Sequence, residues 1–189
     1  RLHNMQTLNY LPLDKQHRIA IETREVYAPL AHRLGMNELK MKYENLILEV
    51  IKPEAYKEIK QKVNSTNNRR IKYIKEFSIP INNELKIYKI ESEIKGRAKH
   101  YYSIYRKMED QEKKFRELFD LYGIRIIVDK VEACYAVLGI IHKLYTPIQD
   151  RFKDYIATPK SNGYQSIHTT VFGHDGKVVE VQIRTSEMD

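Results

Sequence analysis

Between residues 80 and 90 the hydrophobic period of this sequence changes, and that change limits the folds open to it. Ahead of it, Ile19, Thr23, Val26, Tyr27, Leu30 and Leu34 recur at helical spacing, and Gly35 supplies a C-terminal stop. A second helix is predicted from about Glu38 to Ile51, and Pro53 opens a third. The polar run Asn64-Ser65-Thr66-Asn67-Asn68 breaks the pattern before another helical stretch, interrupted at Pro80. Behind the change, Ile87, Ile90 and Ile94 mark a strand-like segment ending at Gly96, followed by a helix through Met108. Gly123 to Asp129 reads as a buried strand and residues 131–145 as a helix closed by Pro147. Two more strands, about 166–172 and 177–184, flank Gly173-His174-Asp175-Gly176, a strong hairpin signal. The predicted class is α+β: a mixed β-sheet flanked by helices over 86–189, preceded by a helical segment over 14–85.

With 189 residues the chain suits one globular domain plus a helical appendage. No run reaches the roughly 18 apolar residues of a membrane span, and the first residues lack the order of a secretory signal, so no membrane partner and a cytoplasmic address are expected. The lone Cys134 excludes an internal disulfide and a cysteine-rich zinc site, and it reads as a small buried helix residue. A net charge of +8 attracts polyanions of every kind. What separates a nucleotide site from a nucleic-acid groove is whether the cations gather around carboxylates able to hold a metal.

Three segments carry candidate chemistry. After Gly96-Arg97, the helix places Lys99, Ser103 and Lys107 on one stripe. Stacked like charges repel mildly, which a triphosphate beside a helix N-terminus would relieve; an ordinary solvated basic face fits equally well. Asp120 precedes the strand that carries Arg125, and Glu180 lies in Val179-Glu180-Val181-Gln182-Ile183-Arg184. Carboxylates among apolar strand residues need a cation, and Mg²⁺ would serve. Alternation also permits a plain solvent face of Glu180, Gln182 and Arg184 over a core of Val179, Val181 and Ile183. The third segment, Arg151 to His168, is a loop by its Pro, Gly, Ser and Asn content, yet it interleaves cations with Tyr155 and Tyr164. That suits a base stacked on a ring with its phosphates on lysine, and non-specific RNA binding would want the same types.

Together these segments resemble the synthetase domain of the RelA/SpoT homologue family, the enzymes that make guanosine tetra- and pentaphosphate. The resemblance spans nearly the whole chain. Its motifs are Gly96-Arg97-Ala98-Lys99-His100 with Tyr102 to Met108, then Asp120 to Asp129, Arg151 to His168, and Glu180 to Thr185. Arg1-Leu2-His3-Asn4-Met5 looks like the tail of the last motif of the HD hydrolase domain that precedes the synthetase in long members, which makes 1–13 its remnant.

The resemblance implies a nucleotidyltransferase-like fold that moves pyrophosphate from ATP to the 3′-hydroxyl of GDP or GTP. It assigns Mg²⁺ to Asp120 and Glu180, with Glu180 also the base. Arg97 and Arg125 would sandwich adenine, while Lys99, Ser103 and Lys107 hold the ATP phosphates. Tyr164 would stack on guanine, Asn162 would read its edge, and Lys153, Tyr155, Lys160 and His168 would meet phosphates or ribose. Gln182 and Arg184 stand near the metal without a fixed role.

Arg151-Phe152-Lys153-Asp154 resembles the basic form of a family motif, associated with members that both make and degrade the alarmone. Hydrolysis is not expected of this chain, because the metal-binding His and Asp residues would lie upstream of Arg1. The end at Asp189 implies a C-terminally truncated synthetase. Ribosome contact would belong to regulatory domains outside the chain, and no direct nucleic-acid binding is expected. The rival readings are a basic RNA-binding module, for which Asp120 and Glu180 would be dispensable, and a catalytically inactive regulatory fragment.

Overall fold

A computed structural model of the chain describes residues 1–97, 100–110 and 122–189. In chain order the first helices are α1 (Leu2–Gln6), α2 (Leu13–Glu22), α3 (Ala28–Arg33), α4 (Asn37–Ile51), α5 (Pro53–Ser65) and α6 (Asn67–Ile87). Then come β1 (Ser92–Gly96), α7 (Tyr101–Asp110), β2 (Tyr122–Val128), α8 (Val131–Leu144), β3 (Lys153–Asp154), β4 (Ile167–Phe172) and β5 (Val178–Thr185). The described residues form two compact units, 1–65 with 100–110, and 66–97 with 122–189. None of the described helices is long and apolar enough to cross a membrane.

The first unit is helical. Its core gathers Met5, Leu8, Ala20, Ala28, Ala31, Tyr43 and Ile47. The helical spacing read from the sequence holds here, but Val26, Leu30 and Leu34 are exposed, and the buried positions are the small residues Ala20, Thr23, Ala28 and Ala31. Small side chains let α2 and α3 lie close to α4, and a wide π turn over Thr23–Tyr27 rotates the face between them. Gly35 ends α3 in the left-handed region (φ 72°), with Gly35 N–H donating to His32 O and Met36 N–H to Ala31 O, a Schellman cap. Helix α7 also belongs to this unit, burying Ile104 and setting Tyr101 edge-on to Tyr56 at 5.4 Å.

In the second unit the described strands form a sheet of order β1-β2-β5-β4-β3, with β2 and β5 parallel and the other pairs antiparallel. One face carries the core: Ile124, Ile126 and Val128 from β2 and Val179, Val181 and Ile183 from β5 meet Phe77, Ile81 and Leu85 of α6 and Val137 and Ile141 of α8. Buried Cys134 joins them, and burial pushes its thiol up to about 11, so it is packing and not a nucleophile.

Two boundaries differ from the sequence pattern. Helix α6 is not interrupted at Pro80 but runs from Asn67 to Ile87. A mid-helix proline costs about 3 kcal/mol, whereas Phe77, Ile81 and Leu85, all essentially inaccessible, gain about 1.5–3 kcal/mol each on burial, so packing wins. The strand expected from Ile87 begins only at Ser92, because the α6 helix continues through Ile87 and turns at Lys89, whose φ is 54°. The hairpin forms as expected between β4 and β5, with Gly173 N–H donating to Lys177 O at 2.7 Å.

A Cβ at Gly173 would stand 2.3 Å from the Tyr73 hydroxyl and 3.1 Å from Phe77, while that hydroxyl donates to His174 O. Gly173→Ala is therefore expected to lower stability by about 1–3 kcal/mol in urea unfolding, as overpacking does. His142 of α8 lies 2.8 Å from the buried Thr169 hydroxyl, and burial lowers its pKa. The fold prefers the neutral ring, so this contribution is complete above the unfolded value of about 6.5 and is lost as pH falls below it. His142→Gln should flatten that part of the stability-against-pH curve relative to the parent chain.

Candidate active site

On the other face of the sheet, alternation along β5 presents Glu180, Gln182 and Arg184. The register sets Gly123 and Arg125 of β2 beside Glu180 and Gln182, and Thr170 and His168 of β4 on their other side. This is not a plain solvent face: Gln182 is 2% and Arg184 4% accessible, and the Glu180 side chain 22%.

The backbone explains how loop residues reach this face. Asp154 accepts from the Ile156 and Ala157 N–H groups and from the Tyr135 hydroxyl, which fixes the start of the loop after β3. At its tip Gly163 takes φ 77°, Tyr164 N–H donates to Asn162 Oδ1, and Lys160 N–H donates to Tyr164 O. The return is pinned by Tyr155 N–H to Ser166 O and by Ser166 Oγ to Ile183 O. The rings of Tyr155, Tyr164 and His168 then meet edge to face at 5.3–6.0 Å, and the Lys160 ammonium lies 4.5 Å from the Tyr155 centroid and 5.1 Å from that of Tyr164.

Glu180 sits among hydrogen-bond donors. Arg97 Nη1 lies 3.4 and 3.5 Å from its two oxygens, and Gln182 Nε2 donates to Oε1 at 3.1 Å. His168 Nδ1 is 3.8 Å from the same oxygen, while its Nε2 is 2.8 Å from the Tyr164 hydroxyl. Burial pushes the His168 pKa down to about 4, against the pull of Glu180 and with help from Arg97, Lys160 and Arg184. At neutral pH the ring is uncharged, so its approach to Glu180 is a charge–dipole contact and not an ion pair.

Arg184 donates to the Tyr164 hydroxyl at 2.6 Å and lies 5.0 Å from the centre of that ring. Burial lowers the pKa of its guanidinium. Asp189, unremarked as a site residue in the sequence, bonds Arg125 Nη1 at 2.5 Å and approaches Arg184 Nη1 at 3.5 Å. Its neighbours give no signal; only the fold brings it back to β2. Buried Nε atoms of Arg125 and Arg184 have no hydrogen-bond partner among the described residues.

Of the residues singled out in the sequence, the second unit thus brings together Arg97, Tyr155, Lys160, Tyr164, His168, Glu180, Gln182 and Arg184, with Arg125 joined through Asp189. Lys153 is exposed on β3 opposite His168, and Asn162 holds the loop turn. Ser103 and Lys107 lie one turn apart on α7 in the first unit. Lys99 and Asp120 lie outside the described residues.

No group of three His, Cys, Asp or Glu side chains able to hold a metal occurs among the described residues. Glu180 by itself suits a hard cation that takes its other ligands from phosphate oxygens and water, and the surrounding cations suit the phosphates. The fold and this residue set define a nucleotidyltransferase-like domain with the Glu180 carboxylate inside a cationic, aromatic-edged face.

Comparison with known proteins narrows the class. The family model described as the region found in RelA / SpoT proteins matches residues 96–189, and a model of the HD domain matches residues 1–37. The chain is 48% identical over its whole length to a GTP pyrophosphokinase of Streptomyces coelicolor, covering 22% of that protein. It is 47% identical to the bifunctional (p)ppGpp synthase/hydrolase RelA of Mycobacterium tuberculosis, again over its whole length and 26% of the relative. The small alarmone synthetase 1 of Bacillus subtilis superposes with a TM-score of 0.54 at 26% identity, over 67% of this chain and 73% of that one. The chain belongs to the RelA/SpoT family, and it spans about a quarter of the length of the curated relatives it matches.

Proposed function

We propose that this chain is the synthetase part of a longer enzyme that transfers pyrophosphate from ATP to the 3′-hydroxyl of GDP or GTP. The observation that carries the reading is that Glu180 and Tyr164, a carboxylate and an aromatic platform, share one half-buried network bordered by Arg97, Lys160 and Arg184. The proteins it resembles are named for GTP pyrophosphokinase, (p)ppGpp synthase and alarmone synthetase activity.

In this mechanism the guanine stacks on Tyr164 and Asn162 reads its edge. Lys153, Tyr155, Lys160 and His168 meet the acceptor's phosphates or ribose. Adenine lies between Arg97 and Arg125, since a planar guanidinium covers a purine face better than an ammonium does. Lys99, Ser103 and Lys107 take the ATP phosphates. Glu180 accepts the proton of the 3′-hydroxyl as that oxygen bonds to the β-phosphorus, and the bond from the β-phosphorus to the bridging oxygen breaks to release AMP. Catalysis is chiefly alignment and charge neutralisation. Asp120 and Glu180 would hold Mg²⁺, which supplies positive charge to the transferring group. Arg97 also offsets the charge of Glu180 when the site holds no nucleotide. The parent enzyme is placed in the cytoplasm, with ribosome contact made by regions beyond this chain.

Incubation with labelled ATP, Mg²⁺ and GDP tests the reading. The parent chain should form product, and Glu180→Gln should lose about 10²- to 10⁴-fold in turnover, the usual worth of a positioned base. Equal turnover by both would remove Glu180 from the mechanism. Tyr164→Ala should weaken GDP binding about tenfold or more in calorimetry, as loss of a stacking ring does, and leave ATP affinity within about twofold.

A further inference from the structure

Besides the direct contact with Arg97, two paths toward Glu180 start from one guanidinium. Nη2 of Arg184 donates to the Tyr164 hydroxyl at 2.6 Å and approaches Gln182 Oε1 at 3.4 Å. From Tyr164 the path continues to His168 Nε2 at 2.8 Å, and His168 Nδ1 faces Glu180 Oε1 at 3.8 Å. From Gln182 it continues through Nε2 to the same Oε1 at 3.1 Å.

The direction of each bond follows from the chemistry of the groups. A guanidinium only donates, so the Tyr164 oxygen accepts from it; that oxygen could still accept from His168 as well, but Nδ1 faces a carboxylate, which favours the ring proton there and leaves Nε2 to accept the phenolic proton. The neutral ring then carries its proton on Nδ1, the nitrogen that faces Glu180. The same rule turns Gln182 so that its carbonyl meets Arg184 and its NH₂ meets Glu180. Arg184 itself is 4% accessible and is held from the far side by Met188 O at 3.4 Å and Asp189 Oδ1 at 3.5 Å.

We propose that Arg184 is a positioning residue for the reaction: it opens two arms, through Tyr164 with His168 and through Gln182, that converge on one oxygen of Glu180. The ring on which guanine stacks is thereby linked through one buried cation to the carboxylate that takes the 3′-hydroxyl proton, which Arg97 contacts directly from another side. The arms stand on the geometry alone; their catalytic consequence rests on the roles given above to Tyr164 and Glu180. The Gln182 arm ends in a hydrogen bond to Glu180 and the Tyr164 arm ends with His168 Nδ1 facing the same oxygen at 3.8 Å, so the carboxylate is held as an acceptor facing the stacking platform.

The test uses the full 189-residue chain. Long-range ¹H–¹⁵N spectra without nucleotide, near neutral pH, read the His168 tautomer, and steady-state turnover with ATP, Mg²⁺ and GDP reads the consequence. The parent chain is expected to show His168 protonated on Nδ1. Tyr164→Phe keeps the ring but cuts the arm, and Arg184→Lys keeps the charge but loses the planar fork. Each should shift His168 toward the Nε2 tautomer and lower kcat about ten- to a hundredfold, with the KM for ATP unchanged. Tyr164→Phe removes a single oxygen and remains informative if Arg184→Lys fails to fold. A parent His168 protonated on Nε2, or variants with parental kcat, would overturn the proposal. A parent chain that shows the Nδ1 tautomer yet makes no product refutes the functional reading and the catalytic consequence drawn from it, while the hydrogen-bond assignment stands on its own spectrum.

Discussion

Strand β5 lies at the centre of the second unit, paired in parallel with β2 and antiparallel with β4, and successive side chains of an extended strand point to opposite faces. Val179, Val181 and Ile183 go into the core under α6 and α8; Glu180, Gln182 and Arg184 go to the other face. A slip of one residue in register would exchange the two sets, burying a carboxylate in hydrocarbon and exposing three aliphatic residues. The apolar face fixes the register, and the register fixes where the carboxylate stands.

Once placed there, the polar set is tolerable because most of its groups find partners. A nearly inaccessible Arg184 and Gln182 would each cost free energy if unpaired. Gln182 finds its partners in Glu180 and Arg184 of its own strand, while Arg184 finds one in Tyr164, carried by a loop that Asp154 shapes at its start and Gly163 at its tip. The candidate site is thus the part of the molecule where core packing, loop chemistry and electrostatics constrain one another. His168 shows the consequence: burial and three nearby cations keep it neutral beside a carboxylate that would otherwise draw a proton to it.

Local patterns were reliable where one physical cause acted. The Gly35 stop, the helix opening at Pro53 and the Gly173–Gly176 hairpin follow from backbone freedom, from a missing N–H and from turn chemistry, all local properties. Pro80 was misleading because the burial of Phe77, Ile81 and Leu85 outweighs the local penalty. Val26, Leu30 and Leu34 kept their helical period but not the expected side, since small residues decide which face of α2 and α3 packs.

The sequence by itself determined the class of fold, the family and the identity of most side chains on the candidate site, because periodicity and ordered motifs are written along the chain. It also left Gln182 and Arg184 without a role, and it gave Asp189 none. Only the tertiary structure decided that Arg184 is buried, that its hydrogen bonds run through Gln182 to Glu180 and through Tyr164 to His168, and that Asp189 returns to Arg125. Alternation along a strand says which residues share a face. What covers that face, and hence whether a charge there is solvated or must be paired, depends on a loop and a second strand that meet it only after folding.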